Sequence, residues 1–267
     1  MDKICDYFVG RNNWIAKVIM LIIGSIAIEV FFLRINTHSI FIPAGYIGGD
    51  DFAGTLLAQN VIDTGWSWYN ERLGVPGYMD YLAFPSESLL RSFDVLLIKV
   101  ISSFGLNAFQ TIGVTLLFEP LICVITAFFV IREVVQEDWL SGLGALSFAF
   151  LPFYWLRFLG HMSLTMYMFV RLSFLICIWL YKGEIFKSFS KEELQNKKNW
   201  LSVLFCILIA NNGIAYWQAF SCFFLLVAAL QFREEMFSWK KLVARLIPLG
   251  IIIACFTVEL LPAVVDR

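Results

Sequence analysis

The chain has 267 residues, of which 60% are hydrophobic and only 15% are charged. Soluble domains are about 45–50% apolar and about 25% charged, so this composition excludes a water-soluble enzyme and a disordered chain. The 20 Lys and Arg balance 21 Asp and Glu, which leaves no positive field and predicts no nucleic-acid partner. We therefore predict a polytopic membrane protein with room for about seven crossings, at ~20 residues each plus loops.

The first apolar run covers residues 14–33 and follows Lys3 and Arg11. Because basic residues stay preferentially in the cytoplasm, residues 1–33 are predicted to form a cytoplasmic N-terminus and the first transmembrane helix. Further apolar runs predict an all-α, polytopic transmembrane helical bundle of about seven spans. These runs are 109–131, 139–156, 162–181, 200–231 and 242–261.

Residues 86–105 are nearly long enough to cross a bilayer, but they include four charged side chains. Each charge costs about 2.5–3.5 kcal/mol at the centre of a membrane. Because the apolar side chains recur every three or four residues, we predict an amphipathic helix at the interface and no span. Residues 34–108 then form one large external loop with interfacial helices, and residues 109–267 form a six-helix transmembrane region.

The apolar stretch 200–231 is too long for one crossing and is interrupted by Asn211, Asn212 and Gly213. Basic residues flank it on both sides, so both flanks are predicted to face the cytoplasm. A hairpin of two short helices that turns at 211–213 satisfies this pattern. A polar break at depth requires burial in protein or a water-filled cavity.

Two adjacent aspartates, Asp50 and Asp51, open an amphipathic stretch of the external loop. Asp is a favoured N-cap residue, worth about 1 kcal/mol, so helix capping is one interpretation. Adjacent carboxylates repel and point apart, so one of them can also act as a general base or a metal ligand. Both are candidate catalytic residues.

The segment 65–77, GWSWYNERLGVPG, mixes aromatic and charged side chains. Trp and Tyr at a membrane boundary are often interfacial anchors. Aromatic faces beside charged groups also suit a sugar, because its C–H faces stack on rings while its hydroxyls bond to charges. On this second interpretation, candidate substrate-binding residues are Trp66, Tyr69, Glu71 and Arg72.

Arg157 and His161 are four residues apart, so on a continuing helix end they share a face. A lone histidine at a helix end is more often a structural hydrogen-bonding group than a ligand. An arginine beside it suits an anionic headgroup or a substrate phosphate, which makes the two candidate substrate-binding residues.

Four ionisable residues fall inside the predicted spans, where such side chains normally face the bundle interior. We expect Arg171 to pair with one of the three glutamates, and a proton or ion pathway is the alternative. The glutamates are Glu29, Glu119 and Glu259.

The chain resembles the GT-C superfamily of integral-membrane glycosyltransferases, most closely its bacterial YfhO-like and sugar-translocase-like members. The resemblance is carried, in order, by GGDD at 48–51, TGWSWYNERLGVPG at 64–77, FP at 84–85 and LPFYWLRFLGHMSLTMY at 151–167. The segment NNGIAYWQAF at 211–220 is also similar to a glycine-aromatic element of those proteins.

The resemblance implies transfer of a sugar from a polyprenyl-phosphate carrier to a cell-surface glycan or lipid acceptor. It also implies a multi-pass protein of the bacterial plasma membrane, surrounded by membrane lipids. Asp50, or its neighbour Asp51, would orient or deprotonate the acceptor, and Arg157 and His161 would lie near the donor phosphate. Members are often metal-independent, so no cofactor is expected, with a divalent cation as the alternative.

Two rival functions remain open at this point. A transporter or flippase of lipid-linked sugars would depend on the intramembrane charges more than on the outer loop, although the sequence lacks the internal repeat that many transporters have. Superfamily members are usually considerably longer, which predicts that this chain is truncated at its C-terminus. A non-catalytic truncated membrane subunit is therefore the other alternative.

Overall fold

The computed structural model describes residues 14–33, 50–67, 69–70, 79–80, 91–157, 161–231 and 238–265. These residues are almost entirely helical. The elements before the bundle's central helix are α1 (Trp14–Leu33), α2 (Asp50–Thr64), β1 (Tyr69–Asn70), β2 (Met79–Asp80) and α3 (Ser92–Ser102). The others are α4 (Ala108–Val135), α5 (Asp138–Ala149), α6 (Pro152–Arg157), α7 (Met162–Thr165), α8 (Val170–Tyr181), α9 (Lys191–Gln195), α10 (Lys197–Ala210), α11 (Ala215–Leu230), α12 (Trp239–Arg245) and α13 (Ile247–Val265).

Helix α4 lies at the centre and contacts α1, α2, α3, α5 and α8. It starts with a capping box, in which Asn107 and Gln110 each accept a bond from the other's backbone N–H. Pro120 lies inside the helix and has no N–H to donate to the carbonyl of Leu116. The Tyr154 hydroxyl donates to that carbonyl at 2.8 Å, so α6 satisfies the group that the proline leaves unpaired.

Three helical segments of the described chain are long and apolar enough to cross a membrane: Trp14–Leu33, Ala108–Val135 and Asp138–Arg157. A fourth candidate is the pair Trp239–Arg245 and Ile247–Leu261, which is bent by 47°. The all-α class is therefore confirmed, with three or four candidate membrane spans, and the predicted number of seven spans is not confirmed.

The remaining predicted crossings correspond to short helices. At about 1.5 Å per residue, α8, α10 and α11 are about 18, 21 and 24 Å long, which is less than the ~30 Å hydrocarbon core. The predicted hairpin is confirmed, since α10 and α11 turn at residues 211–214. A second break, at residues 166–169, separates α7 from α8.

Charged side chains cluster where α1, α5 and α10 begin and where α4 and α8 end. We call this the basic end, and its basic members are Lys17, Arg132, Lys182, Lys198 and, beside the end of α11, Arg245. Exposed Trp and Tyr residues surround it, as in the aromatic belt of a membrane protein. They are Trp14 (57% exposed), Trp139 (67%), Tyr181 (48%), Trp200 (60%) and Trp239 (72%). We call the opposite end, which carries α2, α3 and α6, the loop end.

Helix α3 is the amphipathic helix that was predicted for residues 86–105, and it is not among the candidate spans. Its charged side chains do not all lie at the interface, which corrects that prediction in part. Arg91 and Asp94 are only 3% and 0% exposed, whereas Lys99 is exposed and donates to the carbonyl of Gly65. The N-terminus of α3 is thus embedded in the bundle, because its two charges find partners there.

Candidate functional site

Helix α2 begins at Asp50, as the pair of aspartates predicts, although the side chains of Asp50 and Asp51 lie outside the described residues. Leu57, Ala58 and Val61 bury one side of the helix in the main hydrophobic core. Helix α2 packs against α3, α4 and α7. Helix α2 therefore contacts the short helix that directly follows Arg157 and His161.

The aromatic segment that follows α2 divides into a packed and an exposed part. Trp66 is half-buried and packs against the core, and its carbonyl accepts a bond from Thr64 Oγ1 at 2.8 Å. Tyr69 is 43% exposed and lies in β1, paired with Asp80 of β2. The other two predicted residues, Glu71 and Arg72, lie outside the described residues. The packing of Trp66 fits an anchor, and the exposure of Tyr69 leaves its ring accessible.

A backbone hydrogen bond links Arg157 and His161. Helix α6 ends at Arg157, whose carbonyl accepts a bond from the His161 N–H at 2.9 Å. Both residues are half-buried. The turn lies at the loop end, since Trp155, two residues earlier, stacks on Phe32 near the end of α1 with ring centroids 5.1 Å apart.

A buried polar cluster links α3 to the hairpin, and it was not predicted from the sequence. Asp94 Oδ1 accepts a bond from Asn212 Nδ2 at 2.6 Å, and Asp94 Oδ2 accepts one from the Gly213 N–H at 2.9 Å. The Phe93 N–H donates to the carbonyl of Asn211 at 3.0 Å. Gln218 donates to the carbonyls of Ile209 and Asn212 at 3.1 and 2.7 Å. These bonds give the Gly213 N–H and the carbonyls of Asn211 and Asn212 partners within the protein.

Helix α13 joins the same cluster through Glu259. One oxygen of Glu259 accepts bonds from the Ser92 N–H and hydroxyl at 2.8 and 2.9 Å. The other lies 3.9 Å from Arg91, whose guanidinium sits 4.7 Å from the centre of the Phe256 ring. We call Arg91, Asp94, Asn212, Gly213 and Glu259 the polar junction. It fixes the start of α3 to both α13 and the hairpin.

Burial raises the pKa of Asp94 from 3.8 to about 7, although bonds from Gly213, Arg91 and Asn212 act to lower it. Between these two pKa values the folded protein keeps a proton that the unfolded chain has lost. The contribution that protonated Asp94 makes to the free energy of unfolding is therefore complete below the unfolded-state pKa. This contribution is lost as the pH rises through the folded-state pKa.

We expect the stability difference between the wild type and Asp94→Asn to depend on pH, because the amide does not titrate. The wild-type advantage in free energy of unfolding should decrease by about 2 kcal/mol between pH 5 and pH 8. Reversible unfolding of both proteins in mixed micelles at pH 5 and pH 8 measures this difference in free energy of unfolding. An advantage that stays constant or increases with pH contradicts the prediction.

The predicted pairing of Arg171 with a glutamate is wrong within the described residues. Arg171 Nη1 instead donates to Cys123 Sγ at 2.9 Å and to the carbonyl of Tyr167 at 3.0 Å. Glu119 Oε1 accepts a bond from the Tyr167 N–H at 3.1 Å. Tyr167 lies in the helix break at 166–169, where its N–H also donates to the carbonyl of Thr165 at 2.9 Å and its carbonyl also accepts a bond from the Val170 N–H at 3.3 Å. The two charged side chains add further bonds to these backbone groups. Among the glutamates, Glu259 pairs with Arg91.

Within the described part of the chain, no three His, Cys, Asp or Glu side chains come close enough together to hold a metal ion. The carboxylates of Asp50 and Asp51 lie outside that part. The expectation about a divalent cation therefore stays a prediction.

The three or four apolar helices that are long enough to cross a bilayer indicate an α-helical membrane protein. Residues 57–263 match the family described as "Domain of unknown function (DUF6311)", and the chain belongs to this family. The matched region contains the polar junction, Trp66, Tyr69, Arg157 and His161, and it begins within α2 after Asp50 and Asp51. No curated protein and no solved structure matches the chain.

Proposed function

We propose that the protein is a membrane glycosyltransferase that transfers a sugar from a polyprenyl-phosphate carrier to a glycan or lipid acceptor. The observation that carries the proposal is the packing of α2, which begins at Asp50, against α7, which follows the turn with Arg157 and His161. The contact between α2 and α7 supports a site that the acidic helix shares with the turn that carries Arg157 and His161. Acceptor activation and phosphate binding need these two kinds of group in one site.

In this proposal the residues have separate roles. Asp50 or Asp51 removes the proton of the acceptor hydroxyl, and Arg157 and His161 bind the donor phosphate and stabilise its charge as it leaves. Tyr69 and Trp66 offer aromatic faces to a sugar ring, with Glu71 and Arg72 as polar partners. The carrier's hydrocarbon chain stays in the bilayer beside the bundle.

We further propose the plasma membrane of a bacterium as the location, with the basic end on the cytoplasmic side. The clustering of Lys and Arg at one end of the bundle supports this orientation. The site would then face outward, and the N-terminus would be cytoplasmic. In this arrangement α8, α10 and α11 complete a seven-crossing bundle, with a locally thinned bilayer around the short helices.

Proteoliposomes that contain the full chain and lipid carriers extracted from bacteria provide the test. We expect undecaprenyl-phosphate-linked sugars to be consumed and undecaprenyl phosphate to appear when a surface-glycan extract is added, as followed by mass spectrometry. Carriers that remain intact with the wild-type protein contradict the proposal.

A second prediction concerns Arg157, which is proposed to bind the donor phosphate. Arg157→Gln should raise the carrier concentration for half-maximal rate about tenfold, because a charge-assisted bond to phosphate contributes about 1.5–3 kcal/mol. Arg132→Gln, at the basic end, is the matched control and should leave this concentration unchanged. An equal effect of the two substitutions contradicts the role of Arg157.

A flippase of lipid-linked sugars is the second candidate, and the helix break at 166–169 favours it. Discontinuous helices form substrate sites in many transporters. The same proteoliposomes separate the two functions. A flippase makes the sugar of an intact carrier accessible to external periodate, whereas a transferase breaks the bond between sugar and phosphate.

A further inference from the structure

The connection between α8 and α10, residues 182–196, is folded onto the start of α10. Asn199 Oδ1 accepts a bond from the Phe186 N–H at 3.1 Å, and Asn199 Nδ2 donates to the carbonyl of Glu193 at 2.8 Å. Ile185 and Phe186 are 0% and 7% exposed and belong to the main hydrophobic core. The connection is therefore fixed to the bundle both near its beginning and at α9.

Two large apolar side chains of this connection remain outside the core. Phe189 is 66% exposed, and Leu194 of α9 is 67% exposed. Covering such side chains stabilises a protein by about 25 cal/mol for each Å² of apolar surface that leaves water. A contact that covers both of them would therefore stabilise the connection in the conformation that it already has.

The position of α9 identifies what lies beside these side chains. Trp200 Nε1 donates to the carbonyl of Leu194 at 2.8 Å. Trp200 is 60% exposed and shares one stripe of α10 with Leu204 and Ile207, which are 49% and 40% exposed. An exposed apolar stripe on a helix of a membrane protein faces lipid, and a Trp at its end marks the boundary between hydrocarbon and headgroups. The end of α9 is therefore attached at this boundary, on the lipid-facing side of α10.

The charges around the two apolar side chains suit the headgroup layer. Lys187, Lys191 and Lys197 are exposed and form no ion pair with another residue that the structure describes. Long Lys side chains lie along apolar surface and keep their ammonium group in the polar layer. The stretch from the first to the last of them also contains two Glu, so three positive and two negative charges leave a net charge of only +1. The apolar side chains therefore determine the contact, and the surface that they meet need not be anionic.

We propose that residues 187–195 form a contact with the membrane surface, in which Phe189 and Leu194 insert between the headgroups of the leaflet at the basic end. Interfacial amphipathic segments bury their apolar side about 5–10 Å into the boundary between headgroups and acyl chains. Lys191 lies three residues before Leu194 on the same side of α9, so its ammonium group reaches the phosphates of the same lipids. The contact lies at the opposite end of the bundle from the proposed transferase site and does not depend on that proposal.

The test uses the full chain in nanodiscs of phosphatidylcholine and phosphatidylglycerol, with the photoreactive residue p-benzoylphenylalanine at one position at a time. Irradiation links this side chain to the C–H bonds that it touches, and the mass of the intact protein identifies the linked molecule. We expect protein that is heavier by one phospholipid when Phe189 or Leu194 is replaced. Glu192 is also exposed and lies on the opposite side of α9 from Leu194, so it is the matched control. Its replacement should give an adduct yield close to that of a sample kept in the dark.

Three results of this experiment overturn the proposal. The first is a lipid adduct at Glu192 that is as abundant as the one at Leu194. The second is a link to a second copy of the chain in place of lipid, which would assign the exposed side chains to an interface between copies. The third is the absence of any adduct at Phe189 and Leu194.

A second measurement uses natural side chains only. In the same nanodiscs, trypsin should cleave the Phe189→Ser, Leu194→Ser protein after Lys187 at least about fivefold faster than the wild type, the factor that corresponds to about 1 kcal/mol of lost contact. Glu192→Ser should be cleaved there at the wild-type rate. Equal rates for the wild type and the double variant overturn the proposal.

Discussion

Replacing Asp50 and Asp51 together by asparagine is expected to lower the rate of sugar transfer at least about 100-fold, because a positioned general base contributes about 10²–10⁴-fold. The amount of folded protein in the membrane should stay unchanged. Asn caps a helix as well as Asp does, so the start of α2 keeps its capping group. The double substitution thus separates the catalytic interpretation of the two aspartates from the capping interpretation.

The control for this variant is on the same helix. Asp63 lies in the last turn of α2, where it accepts a bond from Gln59 Nε2 at 2.9 Å. Asp63→Asn removes one carboxylate far from the start of the helix and should leave transfer close to the wild-type rate. Full activity of the Asp50→Asn, Asp51→Asn protein would contradict the catalytic role.

The largest effect on stability is expected from Gly213→Ala. Gly213 has a φ of +71°, and an added Cβ would lie 2.0 Å from the carbonyl oxygen of Met166. The left-handed conformation alone costs an alanine about 1–2 kcal/mol, and the clash is with backbone that has no room to move. We expect a loss of about 3 kcal/mol or more and little folded protein in the membrane.

Gly250→Ala is the matched control for this prediction. Gly250 lies inside α13, and an added Cβ there meets nothing within 4 Å. Alanine is favoured over glycine in a helix by about 1 kcal/mol, so this variant should be as stable as the wild type or more stable. Thermal unfolding of the two purified variants checks both expectations. Equal stability of Gly213→Ala and wild type would show that the hairpin does not pack on the break at 166–169.

The elements that could be predicted from the sequence are those whose sequence signal lies within the element itself. The hairpin follows from Asn211 to Gly213, which interrupt an apolar run between two basic flanks. The helix at 92–102 follows from apolar side chains at a spacing of three and four. The start of α2 at Asp50 follows from residues that favour a helix N-terminus. Each of these patterns is contained within one short segment of chain.

The polar junction depends on contacts between distant segments, so local patterns did not reveal it. Asp94 is 118 positions from Asn212, and Ser92 is 167 positions from Glu259. One signal was present in the sequence, since Asp94 precedes Ile98 and Ile101 by four and seven residues and therefore shares their buried face. A charge on the apolar face of a helix indicates a buried partner, whereas the prediction placed it at the interface.

The pairing of Arg171 failed for a related reason. The prediction assumed that a buried charged side chain pairs with a side chain of opposite charge. Glu119 and Arg171 instead bind the N–H and the carbonyl of Tyr167, which lies in the helix break at 166–169. The packing of α2 on α7, which carries the proposed site, also depends on the tertiary fold. Sequence patterns identified the candidate residues of that site but not the contact between the two helices.

The most direct test of the proposed function follows the sugar itself. Carrier lipids from bacteria grown on isotope-labelled glucose are placed in proteoliposomes with the full chain and an unlabelled surface-glycan extract. With the wild type, and not with the Asp50→Asn, Asp51→Asn protein, we expect label to become covalently attached to the acceptor and the carrier to be recovered as undecaprenyl phosphate. Label that stays on the carrier in the presence of the wild-type protein would contradict the proposed function.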